Sequence, residues 1–353
     1  MPLKILMDYH HEDAWLSRHI LFEQRLGHKL YRPVGYDWNE RGFFGLDSHE
    51  NHRRVAKQFL EDEVVDKEKG HGLQHLRSYN TTGDWQKDTL IQPFRFLSVD
   101  EFMDTDIDLA FATLGENQQT FKYLQMLKPN LKIAFLHGNL KVPCTLDNLL
   151  TSDKWTYRLN RQVKNRLFIH EEFPLDFWTF EPPKYYNNIF SFLHLFHSPY
   201  RKDEYKHWVE LQEYLKSKFI FKEYGHENRD GCPHSPYDVR DLMHKSTFIY
   251  HNKKWDAYGH VIHRAFAMGR PPIVGRGKDY YETKSAGDLM VDGETCIFIE
   301  DSLEDTIKKV QKYSHPEEVE RMSVAANKKF NEVVDFEAEA GQVQLWVERA
   351  LND

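Results

Sequence analysis

Short apolar runs that end in polar residues recur along this chain, and most lead into a stretch with helical spacing. "LKILMDY" (3–9) runs into "EDAWLSRHILFEQRLGH", whose apolar positions Trp15, Ile20, Leu21 and Leu26 approximate one helical face that stops at Gly27. "DIDLAFATL" runs into "NQQTFKYLQMLKPN", and "LKIAFLHGN" then reads as a buried strand ending at His137. Alternating units of this kind bury their apolar faces as parallel sheets covered by helices, so the expected class is α/β with Rossmann-like, doubly wound domains. The pattern breaks at "EEFPLDFWTFEPPKYYNN" (171–188), rich in proline and aromatics. It restarts with "IFSFLHLFHS", the helix "KDEYKHWVELQEYLKSK", the strand "FIFKEYG" and the helix "PYDVRDLMHKS". "TFIYHN", "PPIVG" and "CIFIE" read as later strands, and "DFEAEAGQVQLWVERAL" as a closing helix.

These breaks predict an N-terminal Rossmann-like domain over 1–172, with a loop-rich insertion at 36–90, and a linker over 173–188. A second domain over 189–334 follows, and a helix over 335–353 is expected to pack back on the first. With 353 residues, 40% of them hydrophobic, the chain can bury two cores. Two such domains are expected to face a cleft, because open α/β sheets bind ligands beyond their strand C-termini. A formal charge of -8 gives no global pull towards nucleic acid or anionic lipid. Cys144, Cys232 and Cys296 are far apart without a C-x-x-C spacing, which argues against a disulfide framework or zinc site and fits a reducing cytoplasm. No run approaches the roughly 18 apolar residues of a membrane span, so no transmembrane segment is expected.

The most informative stretch is "KKWDAYGHVIHRAFAMGRPPIVG" (253–275). A strand delivers the chain to a loop, Tyr258-Gly259 opens a helix predicted from about Val261 to Met268, and Gly269 ends it before Pro271 and Pro272. A helix N-terminus presents unpaired N–H groups at its positive end, and a glycine there lets a ligand approach without a Cβ in the way. Either glycine alone also reads as a turn or a helix stop; their joint spacing is more specific. In "HHED" (10–13), His10, His11 and Glu12 suit an acceptor hydroxyl, while Asp13 reads either as a base or as a helix cap. "DTDID" (104–108) holds an Asp-x-Asp but precedes a strand, the histidines of "DSHENHRR" and "HGLQH" match no ligand spacing, and no G-x-G-x-x-G is present. No metal site is expected.

"DAYGHVIHRAFAMGRPPIV" resembles the donor-site signature of GT-B glycosyltransferases, closest to the large retaining family that includes glycogen and sucrose synthases. "VDGETCIFIED" and the segment after it resemble that family's C-terminal continuation, with Cys296 where a glycine is usual. "RLFIHEEFPLDFWTFEPP" resembles its interdomain passage, and "KIAFLHGN" its strand ending in a histidine near the transferred sugar. The resemblance implies two Rossmann-like domains, a nucleotide-diphosphate sugar (UDP- or GDP-linked) as donor, no tightly bound cofactor, and transfer to a glycan or other hydroxyl acceptor with retention and without an obligatory metal. By position it places Asp256 and His137 at the donor sugar and Tyr258 and Gly259 at the sugar and diphosphate. Arg201 and Lys202 fall at the leaving diphosphate, and Tyr224 and Gly225 beside the base. Arg264 departs from the pattern: the family has a carboxylate there that accepts from the ribose hydroxyls, and a guanidinium has no acceptor to offer, so Arg264 is expected to contact a donor phosphate instead, or another residue to hold the ribose.

Two other readings stand beside this one: a noncatalytic nucleotide-sugar or glycan-binding protein, marked by Arg264, and transfer to a hydroxymethylated DNA base. "NHRRVAKQ" and "RLNRQVKNR" (158–166) would supply the local basic face for DNA, although the second also reads as a plain exposed helix. The site assignment predicts that Asp256→Asn and Arg201→Ala cut transfer and leave thermal unfolding nearly unchanged.

Overall fold

The computed structural model describes residues 1–7, 12–33, 95–97, 99–138, 141–233, 236–254, 256–275 and 283–352. They form two compact units, one of Met1–Phe173 with Phe336–Asp353, the other of Pro174–Asp335. His10, His11, the 36–90 segment and both histidine clusters lie outside the described residues, as does "NHRRVAKQ".

The first unit carries β1 (Lys4–Met7), β2 (Lys29–Pro33), β3 (Arg95–Leu97), β4 (Leu109–Ala112), β5 (Lys132–His137), β6 (Asn148–Thr151) and β7 (Asn165–Phe168). All pairings are parallel, in the order β3-β2-β1-β4-β5-β6-β7. Its helices are α1 (Glu12–Arg18), α2 (Val99–Asp104), α3 (Gln118–Leu127), α4 (Lys154–Leu159) and, from the far end of the chain, α10 (Phe336–Asn352). Leu109, Ala110, Phe111, Ala134 and Phe135 are fully buried, as strands covered on both faces require. The second unit holds β8 (Asn188–Ser191), β9 (Ile220–Glu223), β10 (Phe248–His251), β11 (Pro272–Val274) and β12 (Ile297–Phe298), again parallel, in the order β12-β11-β10-β8-β9. Its helices are α5 (Lys202–Leu215), α6 (Pro236–Lys245), α7 (His260–Ala267), α8 (Leu303–Tyr313) and α9 (Pro316–Val333). Each sheet reverses its strand order once, between β1 and β4 and between β8 and β10; the crevice beyond the strand C-termini at such a reversal is where open α/β sheets bind ligands.

Two local readings change. After α1 the chain widens into a π-helical stretch, His19–Arg25, in which Leu26 N–H donates to Leu21 O, five residues back. Gly27, at φ +67°, then ends it. "RLNRQVKNR" is not one exposed helix: α4 stops at Leu159 and the chain turns and enters β7 at Asn165. Asn160 makes the stop, accepting from Cys144 N at 2.6 Å and donating to Val142 O at 2.9 Å, and Val163 turns into the core. Among the described residues, no helix is long and apolar enough to cross a membrane.

Candidate active site

In the second unit, β10 ends at His251 beside the strand-order reversal, and the loop that follows carries Asp256 into α7. Asp256 is only 4% exposed, accepting from Lys253 Nζ (2.9 Å) on Oδ1 and facing His251 Nε2 (2.9 Å) with Oδ2. Burial alone would push this carboxyl up, but the Lys253 ammonium and His251 hold it well below the usual carboxylate range. Burial pushes the His251 imidazole down, and since a carboxylate can only accept, it is the Nε2–H that donates to Asp256. Lys253 is itself tied in place, its carbonyl accepting from Lys284 Nζ at 2.7 Å.

Gly259 precedes α7 at φ +81°, ψ 60°, and a Cβ built on it would lie 2.8 Å from Asp256 Oδ2. Glycine is therefore required twice over, for the left-handed backbone and for the approach to the carboxylate. Tyr258 turns inward, its ring stacked on His263 at 3.9 Å, which leaves the backbone of this turn as the part presented at the helix start. At the other end of the helix Gly269, at φ +66°, passes Phe180 and Ser323 O so closely that a Cβ would meet them at 2.6 and 2.8 Å.

Arg201 closes a short turn ahead of α5, and Lys202 is the exposed first residue of that helix. The buried Glu204 connects them to the Asp256 loop: its Oε2 meets Arg201 Nη1 at 3.4 Å, and its Oε1 accepts from Lys254 N at 2.6 Å. Tyr224 and Gly225 follow β9, beside β8. The Tyr224 ring packs edge-on to Phe190 (5.6 Å), and Asn228 clamps the two loops, donating to Leu193 O and Tyr224 O at 2.7 and 3.0 Å. Arg264 is buried with its guanidinium 4.7 Å from the Trp178 ring centroid, a cation–π contact inside the unit.

In the first unit His137 ends β5, with Nδ1 2.8 Å from Thr113 O and its ring stacked on Phe135. The backbone of the next residue, Gly138, lies against the Glu171 carboxylate, which also accepts from Ser152 Oγ and faces the buried Arg18 at 3.5 Å. α1 begins at Glu12, so Asp13 falls inside its first turn, too late for the capping position. In the Asp-x-Asp stretch, Asp108 accepts from Lys4 N at 2.7 Å and so ties β1 to the entrance of β4. Among the described residues, no three His, Cys, Asp or Glu side chains are grouped to hold a metal.

Motif reading passed over His251, Lys253 and Glu204 in one unit and Arg18, Ser152 and Glu171 in the other. A trace of the first three was present, since a histidine ending the apolar run "TFIYH", a lysine three before Asp256 and a glutamate three after Arg201 are positions a turn brings together. The arginine and glutamate of the other cluster are far apart in sequence, and only the sheet joins them.

No protein-family model matches the sequence, and no curated protein matches it significantly. Solved structures do resemble it. Sucrose-phosphate synthase from Thermosynechococcus elongatus superposes over 99% of this chain and all of its own, with TM-score 0.55 and 12% identity. A putative UDP-N-acetylglucosamine 2-epimerase from Listeria monocytogenes superposes over 99% and 96%, with TM-score 0.52 and 12% identity. S. aureus TarM, solved as a mutant in complex with fondaparinux, alpha-GlcNAc-glycerol and UDP, gives TM-score 0.52 and 12% identity. That match covers 69% of this chain and spans 55% of TarM's length. At such identities the likeness is one of fold, and with two parallel sheets in these strand orders it shows that the chain has the GT-B fold.

Proposed function

We propose that the chain is a glycosyltransferase, moving a sugar from a nucleotide-diphosphate sugar to an acceptor hydroxyl. One observation carries the reading: a buried Asp256, its carboxyl held low by the Lys253 ammonium, lies beside a left-handed glycine at the start of α7, at the strand-order reversal. A carboxylate accepts hydrogen bonds from sugar hydroxyls, and the N-terminal N–H groups of a helix receive an anion, so hydroxyl and phosphate recognition adjoin in one turn. Cleaving the sugar–phosphate bond builds negative charge on the departing nucleotide; Arg201, with Lys202 next to it, is the cation assigned to stabilise it. Tyr224 and Gly225 take the base, of a UDP- or GDP-linked donor. His137, with Asp13, Glu12, His10 and His11, is assigned to the reacting sugar and the acceptor, which we take to be a glycan or small-molecule hydroxyl, with transfer retaining and independent of added metal. The fold of sucrose-phosphate synthase and TarM supports this assignment.

The burial of Arg264 against Trp178 favours a second reading, a protein that binds nucleotide sugars without turning them over. A panel of nucleotide-diphosphate sugars, screened for thermal stabilisation and donor hydrolysis with and without chelator, separates the two. A stabilising donor that is hydrolysed and passed to an acceptor establishes the transferase, and stabilisation without turnover establishes the binder. Release of an epimerised sugar with no acceptor product would falsify both.

A further inference from the structure

The strands of the first sheet are parallel, so the edge opposite His137 holds their N-terminal ends, Lys132 opening β5 and Asn148 opening β6. A cavity of about 1000 Å³ opens at that edge, between α3, the turn before β7 and Ala350 near the end of α10. Its volume is at the upper end of what small-molecule sites enclose. Ile133, Leu146 and Val163 supply apolar wall, and Lys122, Lys132 and Lys164 line it with cations against one acid, Asp147.

None of the three lysines makes an ion pair among the described residues. A lining of three cations to one acid makes this opening locally basic. That runs against the net charge of -8. Like charges lining one space repel each other, whereas a bound anion would reverse the sign of that interaction. Lysine is a mobile point charge suited to phosphate, and the adjoining apolar wall suits a ligand that is not phosphate alone.

We propose that this cavity is a second binding site, taking a small phosphorylated molecule with an apolar or aromatic portion. The strand N-terminal edge that holds it is remote from the strand C-terminal edge of the same sheet where His137 lies, so occupancy does not depend on the function proposed above.

Phenyl phosphate and inorganic phosphate, titrated into the full chain by calorimetry at constant ionic strength, test it. Phenyl phosphate is expected to bind saturably at one site, at least tenfold more tightly than inorganic phosphate. Lys132→Met is expected to weaken it about tenfold, Lys122→Met with Lys164→Met to abolish it, and Asp147→Asn to tighten it a few fold. All four side chains are at least partly solvent-exposed, and thermal unfolding of each variant reports that it is folded. Asp147→Asn, read as a gain of affinity, cannot be mimicked by damage. Absence of saturable binding, or equal affinity in the lysine variants, overturns the site; equal affinity for the two probes overturns the apolar half of the assignment.

Discussion

At position 259 two constraints coincide, a left-handed backbone and a carboxylate oxygen 2.8 Å from where a Cβ would stand. Gly259→Ala is therefore expected to cost about 1–2 kcal/mol from backbone conformation alone, and to displace Asp256 as well. Donor binding, read by calorimetry, should fall more steeply than the melting temperature; a melting shift with unchanged donor affinity would separate the turn from the site. Asp256→Asn behaves differently from the sequence-based expectation. A surface aspartate could be neutralised without thermal consequence, but this one is buried against Lys253 and His251, and removing its charge strands an ammonium. A loss of about 3 kcal/mol in stability is expected with the loss of transfer, the latter on the order of 10²-fold or more. Arg201→Ala, whose partner Glu204 keeps its bond to Lys254 N, should lower transfer with little thermal effect. The Asp-x-Tyr-Gly spacing was legible because local chemistry fixes it. The ion pairs that set the carboxylate's charge were not, since they depend on which face of the loop each side chain takes.

Among the elements, long runs with one period announced themselves: α3, α5 and α10 and the strands β4, β5, β8 and β10 lie where the sequence pattern puts them. β6 and β7 did not: "NLLT" stands apart from any strand–helix unit, and "NRLF" begins inside a charged stretch that reads as a helix. What makes β7 a strand is pairing with β6 and the turn held by Asn160, neither of which has a period. The link between them, α4, is capped by Asp153, whose Oδ2 accepts from Thr156 N at 2.6 Å. Burial raises this carboxyl to about 6, with the N–H groups of the first turn opposing the shift. Its folded pKa thus lies above the ordinary 3.8. The native state therefore binds more protons between these two values, and stability should fall as pH rises through the window and level off above it. Asp153→Asn removes the titration. The melting temperature of the variant relative to the wild type should climb from pH 4 to pH 6, by at most about 3 kcal/mol in stability, and stay flat above. Asp153→Ala removes the titration and the cap together, so its curve should follow that of Asp153→Asn, displaced downward by about 1 kcal/mol at every pH. A variant-to-wild-type difference independent of pH would show that Asp153 does not titrate there.

For the molecule as a whole, chain order and packing part company at the C-terminus: the second unit is inserted into the first, since α10 completes the core begun by β1. The apolar period of α10 left open its seat within the first domain, on which it was expected to pack, because any face of that sheet would bury its apolar stripe equally well. Specific bonds decide the docking. Trp346 is fully buried, its Nε1 donates to Asn165 O at 3.0 Å, Asn165 Nδ2 returns a bond to Trp346 O, and the indole stacks on Phe111 at 5.9 Å. Truncating it opens a cavity and orphans the Asn165 carbonyl, so Trp346→Ala should cost about 3–5 kcal/mol. The loss belongs to one core. Tyr250, Trp208 and Ile273 form a separate buried cluster in the second unit, in which Trp346 takes no part. Native-state hydrogen exchange should therefore show protection lost across β4, β5 and β7 while β8, β10 and β11 keep theirs. Equal loss in both sheets would mean that the units unfold as one, and that the C-terminal helix supports the turn at Asp256 as well as the sheet it packs on.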